Sequence, residues 1–188
     1  MKIVILSFLL SLSFTIYAQK ECEYSTNITD SLGNYKTTKD YLLSEKKFGN
    51  NSEFVFISLV NAEGQPAVSL QIIQKSNEFI TADCFDKNSK IYLQLFNGKI
   101  ITLYHLDVEN CGNLLVDDKN NYNRVLTGYF LFPKGYTESL IASKMSLMRI
   151  KFSTNTKDII LKDSFVSEMD NKTYYPENYF IDYLKCIE

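Results

Sequence analysis

One histidine, His105, is the only side chain of the 188-residue chain whose unperturbed charge changes near neutral pH. It stands in the run Tyr104-His105-Leu106-Asp107. Alternate residues of a strand share a face, so His105 and Asp107 can point the same way. A histidine oriented by an acid and acting on a nearby serine is the geometry of a small hydrolase. No G-x-S-x-G elbow supplies that nucleophile, and a purely structural histidine is the competing reading. Paired carboxylates drawn from Asp107, Glu109, Asp117 and Asp118 would suit glycoside cleavage. All four lie in or beside polar loops, and the chain has no tryptophan to stack a sugar. Asp86-x-Asn88 and the loop 117–123 have a faint likeness to calcium loops, without the central glycine or closing glutamate of that pattern. Asp and Asn bonding their own backbone in turns explains both. No metal and no cofactor is therefore expected.

The four cysteines, Cys22, Cys84, Cys111 and Cys186, carry the firmest chemistry. An even count in an exported chain reads as disulfides, and the absence of C-x2-C spacing and of a second histidine argues against zinc. The pairing expected is Cys84–Cys111, closing the ends of a strand meander, and Cys22–Cys186, tying the start of the domain to a C-terminal helix. In the chain-entropy model the shorter loop is worth roughly 3.5 kcal/mol.

Export itself is read from the first residues. Met1-Lys2 precedes an apolar run over 3–17 and then Ala18-Gln19-Lys20, the layout of a secretory signal of bacterial type cut after Ala18. The run is short for a membrane span. Gln19-Lys20-Glu21 before Cys22 is too bulky and charged for a lipidation site. Residues 1–18 are thus expected to be a signal peptide and 19–188 a single disulfide-stabilised domain. The signal takes one lysine and no acid from the chain's 20 basic and 22 acidic residues, leaving mild acidity with both signs interleaved. That distribution offers no footprint for nucleic acid. No membrane span is expected after signal removal. Asn27-Ile28-Thr29 and Asn171-Lys172-Thr173 match the glycosylation pattern, a common chance event in an Asn-rich chain.

The elements that must position these groups are mostly strands. Polar residues over 24–39 read as a hairpin turning at Ser31-Leu32-Gly33-Asn34. Residues 40–48 fit a strand or a helical turn equally. The continuous apolar run 53–60 suits a central strand. In 67–74, Val68, Leu70 and Ile72 alternate with Ser69 and Gln71, the period of a strand with one wet face. Strands are expected at 79–85, 90–96 and 99–106, with Asn97-Gly98 forming a type I′ turn. Another is expected at 124–132, where Gly128 marks a bulge or a close approach. A short helix near 137–143 leads to a strand at 145–152, a connection long enough for parallel pairing. A strand at 157–166 pairs back on it. Pro176 and Glu177 start the best helix, 176–187, with Phe180, Tyr183, Leu184 and Ile187 on one arc.

The fold class is therefore α+β and β-rich: a mostly antiparallel sheet, or two packed sheets, of about eight to ten strands with two short helices. The function expected is that of an exported, non-catalytic binding or interaction protein in the periplasm, at the cell surface or outside the cell. Its partner would be a protein, peptide or glycan. A small secreted hydrolase using His105 with acidic partners is the alternative, as is a periplasmic inhibitor or immunity-type protein. Mass mapping of a non-reduced digest should yield Cys84–Cys111 and Cys22–Cys186 peptides; a Cys22–Cys84 peptide would refute the scheme.

Overall fold

The computed structural model describes residues 20–31 and 33–188. The expected signal, 1–18, and Leu32 of the first expected turn lie outside the described residues. The two cystines are Cys22–Cys186 and Cys84–Cys111, the expected pairs.

Among the described residues the chain forms thirteen strands. They are β1 (Tyr24–Asp30), β2 (Gly33–Thr38), β3 (Tyr41–Phe48), β4 (Asn51–Ala62), β5 (Gln65–Ser76), β6 (Lys90–Leu95), β7 (Ile100–His105), β8 (Asn113–Val116), β9 (Tyr122–Leu131), β10 (Met145–Lys151), β11 (Thr156–Ile160), β12 (Phe165–Val166) and β13 (Thr173–Tyr174). Eleven make one sheet in the order β1-β2-β4-β5-β9-β7-β6-β10-β11, with β3 beside β4 and β8 beside β9. β12 and β13 form a separate small hairpin. The architecture is the expected β-rich α+β, with helix α1 (Thr137–Ala142) and a C-terminal helical segment.

The sheet is rolled. The alternating apolar residues of β4, β5, β6, β7, β9, β10 and β11 all point into one core, from Val55, Ile57 and Leu59 round to Met148, Ile150 and Ile159. Its two margins come together. Lys157 of β11 ion-pairs with Glu53 of β4, which also accepts from Gln74 of β5. Leu43, Ser44 and Glu45 of β3 share a small crevice with Ile160, Lys162 and Phe165. One end of the roll is covered by α1 and by the C-terminal segment, which places Leu140, Phe180, Leu184 and Ile187 in the core. That segment winds as a 3-10 turn at Pro176–Asn178, helix α2 (Tyr179–Tyr183) and a second 3-10 turn at Leu184–Ile187. Pro176 takes the first turn, where its missing N–H costs nothing.

Three expectations are corrected. Residues 79–85 are not a strand; only Phe85 makes a bridge, to Asn110. β5 already has both edges filled by β4 and β9, so the segment finds no ladder to join. It crosses the other end of the roll instead. There Arg124 Nε donates to the Ile80 carbonyl, and the Ser153 N–H donates to the Cys84 carbonyl. Parallel pairing of β9 with β10 does not occur. β7 and β6 stand between them, so α1 spans three strand spacings and every ladder in the sheet is antiparallel. Asn97-Gly98 is not a type I′ turn. Gly98 alone has positive φ, its N–H bonds to the Leu95 carbonyl, and the Leu95 N–H bonds to the Lys99 carbonyl. That is a three-residue loop closing on a glycine bulge. The two-residue turn sits at Glu63-Gly64, where both φ values are positive and Ala62 pairs with Gln65.

Gly128 marks a close approach rather than a bulge, because β9 keeps unbroken register with β5 there. A Cβ at Gly128 would lie 2.6 Å from the ring of Phe85. That buried ring stacks on Phe152 and meets Phe130 edge-on, both at 5.2 Å. Gly128→Ala is expected to cost about 1–3 kcal/mol through this overlap. The loss should shrink in a Phe85→Leu background, which denaturant titration of the double-mutant cycle measures.

Candidate functional site

His105 ends β7 and is held by packing. Its ring lies 5.2 Å from that of Phe85 and 5.0 Å from that of Phe130, and its Nδ1–H donates to the Asp86 carbonyl at 3.1 Å. Ser89 is close by, so histidine, serine and acid do meet at this end of the roll. Their connections are not those of a nucleophile and its base. The Ser89 hydroxyl donates to the Asp86 carboxylate, accepts the Asp86 N–H, and is completely buried. Asp107 lies beyond the end of β7 in an exposed bend, so strand alternation no longer places it beside His105. Burial holds the His105 pKa below its ordinary value, against the opposing pull of the Asp86 carbonyl and the nearby acids.

The acidic loops are turns that accept hydrogen bonds. Asp117 takes the N–H groups of Lys119 and Asn121, the Asn121 amide and the Lys75 ammonium. The Lys75 bond, then those from Asn121, hold its carboxyl well below the usual range. Asp86 likewise accepts from the Asn88 N–H and amide and from Ser89. A carboxylate ringed by donors has its lone pairs spent on them. Glu109 and Asp118 are exposed.

A different set of residues converges where the C-terminal helix meets β3. Tyr41 from β3, Tyr174 and Tyr175 from the end of the β12–β13 hairpin, and Tyr179 and Tyr183 from α2 line a cleft of about 380 Å³. The Tyr41 ring is 5.1 Å from Tyr174, 5.0 Å from Tyr179 and 5.5 Å from Tyr183, in edge-on or tilted contacts. Its hydroxyl accepts the Tyr175 N–H at 2.6 Å, which fixes the strap that carries Tyr174 and Tyr175. Tyr174 donates to Asp170 at 2.8 Å. Burial, then the Asp170 bond, push its phenol up to about 12, and burial also raises those of Tyr41, Tyr179 and Tyr183. All stay neutral donors and acceptors at physiological pH.

The fourth wall is the N-terminal segment, held by Cys22–Cys186. Lys20 reaches into the mouth of the cleft, with its ammonium 5.0 Å from the centroid of Tyr175 and 5.6 Å from that of Tyr183. It forms an ion pair with Asp182 at 2.8 Å. Burial alone would lower the Lys20 pKa, but the Asp182 bond and the field of the phenols outweigh it, and the net shift is upward. Glu23 and Lys39 pair on the exposed rim.

No motif or spacing in the sequence marks this cleft. Tyr41 stands more than 130 residues before Tyr174 and Tyr175. The available signal was the density of tyrosine over 174–183, which reads equally as core. Compared with protein-family models, curated proteins and solved structures, the chain matches none.

Because the folded-state pKa of His105 is depressed, the unfolded chain binds its proton more readily. The stability that neutral His105 contributes is full above about pH 6.5 and is lost as pH falls through the lower folded value. Thermal melts between pH 7 and 5 should therefore show a loss in the native protein that His105→Gln lacks. Parallel curves for the two would refute this.

Proposed function

We propose that the chain is an exported, non-catalytic binding protein whose ligand-contacting surface is the tyrosine cleft. It acts in the periplasm, at the cell surface or outside the cell. Its two disulfides fit an oxidising compartment. Among the described residues no helix is long and apolar enough to cross a membrane. The observation that carries the reading is the convergence of Tyr41, Tyr174, Tyr175 and Tyr183, backed by the buried ring of Tyr179, from three separate parts of the fold on one concave surface. Tyrosine supplies large, stiff contact area at low entropic cost, with a hydroxyl for orientation. Such a surface suits an extended peptide segment of a protein partner better than a deep pocket would.

The local chemistry at His105 supports the same reading over the hydrolase. The imidazole is tied to a backbone carbonyl, and the neighbouring serine is bonded to a carboxylate and shielded from solvent.

An array of random hexapeptides probed with the tagged, oxidised protein tests the proposal. Enrichment of a peptide class is expected, weakened about tenfold or more by the double change Tyr175→Ala and Tyr183→Ala, as for aromatic anchors of interfaces. Equal array signals for the native and double-variant proteins would overturn it.

A further inference from the structure

We propose that the tyrosine cleft recognises a lysine ammonium, and that Lys20 is its built-in occupant, a latch that a lysine of the partner peptide displaces. The inference rests on the reading of the cleft as the ligand surface. Lys20 supplies the evidence of what the site accepts. Its ammonium meets two ring faces and one carboxylate, three contacts of the two kinds that favour a cation over a neutral group. The contact with Asp182 is a direct N–H···O bond of 2.8 Å, which a quaternary ammonium without N–H cannot make. A primary ammonium on a flexible stem satisfies all three at once.

The latch is held loosely enough to be exchanged. The Lys20 side chain keeps 41% of its surface in water, so leaving the seat exposes little. It stands two residues from Cys22, whose disulfide to Cys186 keeps it at the cleft. A tether that short presents Lys20 at a high effective concentration, against which any external lysine must compete. Tyr183 packs against the core and against the ring of Tyr41, and the Tyr175 N–H is bonded to the Tyr41 hydroxyl, so the seat does not need Lys20 in order to keep its shape.

Binding of the blocked tripeptide acetyl-Gly-Lys-Gly-amide to the oxidised protein and to Lys20→Ala tests the proposal. Tyrosine fluorescence reports it, since the chain has no tryptophan. Lys20→Ala is expected to bind the tripeptide with a dissociation constant of about a millimolar. The native protein should bind about tenfold more weakly, because its own lysine fills the seat. Adding Asp182→Asn to Lys20→Ala should abolish binding, with the melting temperature showing that both variants fold. Equal affinity of native and Lys20→Ala proteins would overturn the latch. Equal affinity of Lys20→Ala for the norleucine tripeptide would overturn lysine recognition while leaving the cleft as a peptide site. Tighter binding of the arginine tripeptide would also overturn it. Should none of the three tripeptides bind Lys20→Ala, the inference fails; the hexapeptide array then decides separately whether the cleft reading fails with it.

Discussion

A sheet rolled around one core leaves its apolar interior open at two ends, and each end must be covered by chain that is not itself sheet. The rest of this structure follows from how the two ends are closed. At one end Leu140 of α1 and the residues Phe180, Leu184 and Ile187 of the C-terminal segment enter the core. At the other, the irregular segment before β6 crosses the opening and drives Phe85 between Phe130, Phe152 and the bare backbone of Gly128. Neither cover has a hydrogen-bond ladder of its own along the sheet. Each is fastened instead by a disulfide. Cys22–Cys186 fastens the helical end and Cys84–Cys111 the loop end. Arg124, only 8% exposed, reinforces the loop end by donating to the carbonyls of both Ile80 and Cys111, the segments on either side of the cystine.

Period-two alternation was the dependable signal, and it succeeded where a strand had one clear core face. Val68, Leu70 and Ile72, and likewise Met148, Ile150 and Phe152, point inward as the alternation requires. The stretch 40–48 left strand and helix level, and pairing with β4 settled it as β3. Composition over 79–85 is as strand-like as its neighbours, yet the segment is irregular. Strand formation needs a vacant edge, and edge vacancy belongs to the whole topology. The same limit explains the turns. Asn97-Gly98 has the residues of a type I′ turn, but the Phe96 N–H bonds to the Lys144 carbonyl, and the loop opens by one residue. Glu63 accepts positive φ without being a residue that favours it, because the long register of β4 with β5 leaves only two residues for the turn.

The cystines were legible because chemistry restricts an even set of cysteines without metal-ligand spacing to few roles, and four residues allow only three pairings. The tyrosine cleft was not legible for the opposite reason. Tyrosine serves equally in core, strand and surface, so thirteen of them single out no place. What selects five is the meeting of β3, the β12–β13 hairpin and α2, which only the closure of the roll brings about. His105 shows the converse. It stands out as a type of residue, and its ring lies packed against Phe85 and Phe130.

The helical cover and the cleft are one construction. Pro176, Tyr179, Phe180, Leu184 and Ile187 are buried, so the segment's orientation is set by the core and not by the cleft. Tyr183 and Asp182 lie on the side of the helix that remains, and the short hairpin strap bonded to Tyr41 brings Tyr175 to meet them. Cys186 follows Asp182 by about one helical turn, and Cys22 follows Lys20 by two residues. A cross-link that closes most of the chain restricts the unfolded ensemble by about 5 kcal/mol in the chain-entropy model. The same covalent bond brings the backbone of Lys20 to its acid and its two rings, leaving mainly the side chain's own rotamers to be ordered. An isolated surface ion pair is worth little because both side chains must be ordered to form it. Here the fastening of the end cover has already ordered the backbone on both sides of the pair, which lowers the cost of forming a weak set of contacts.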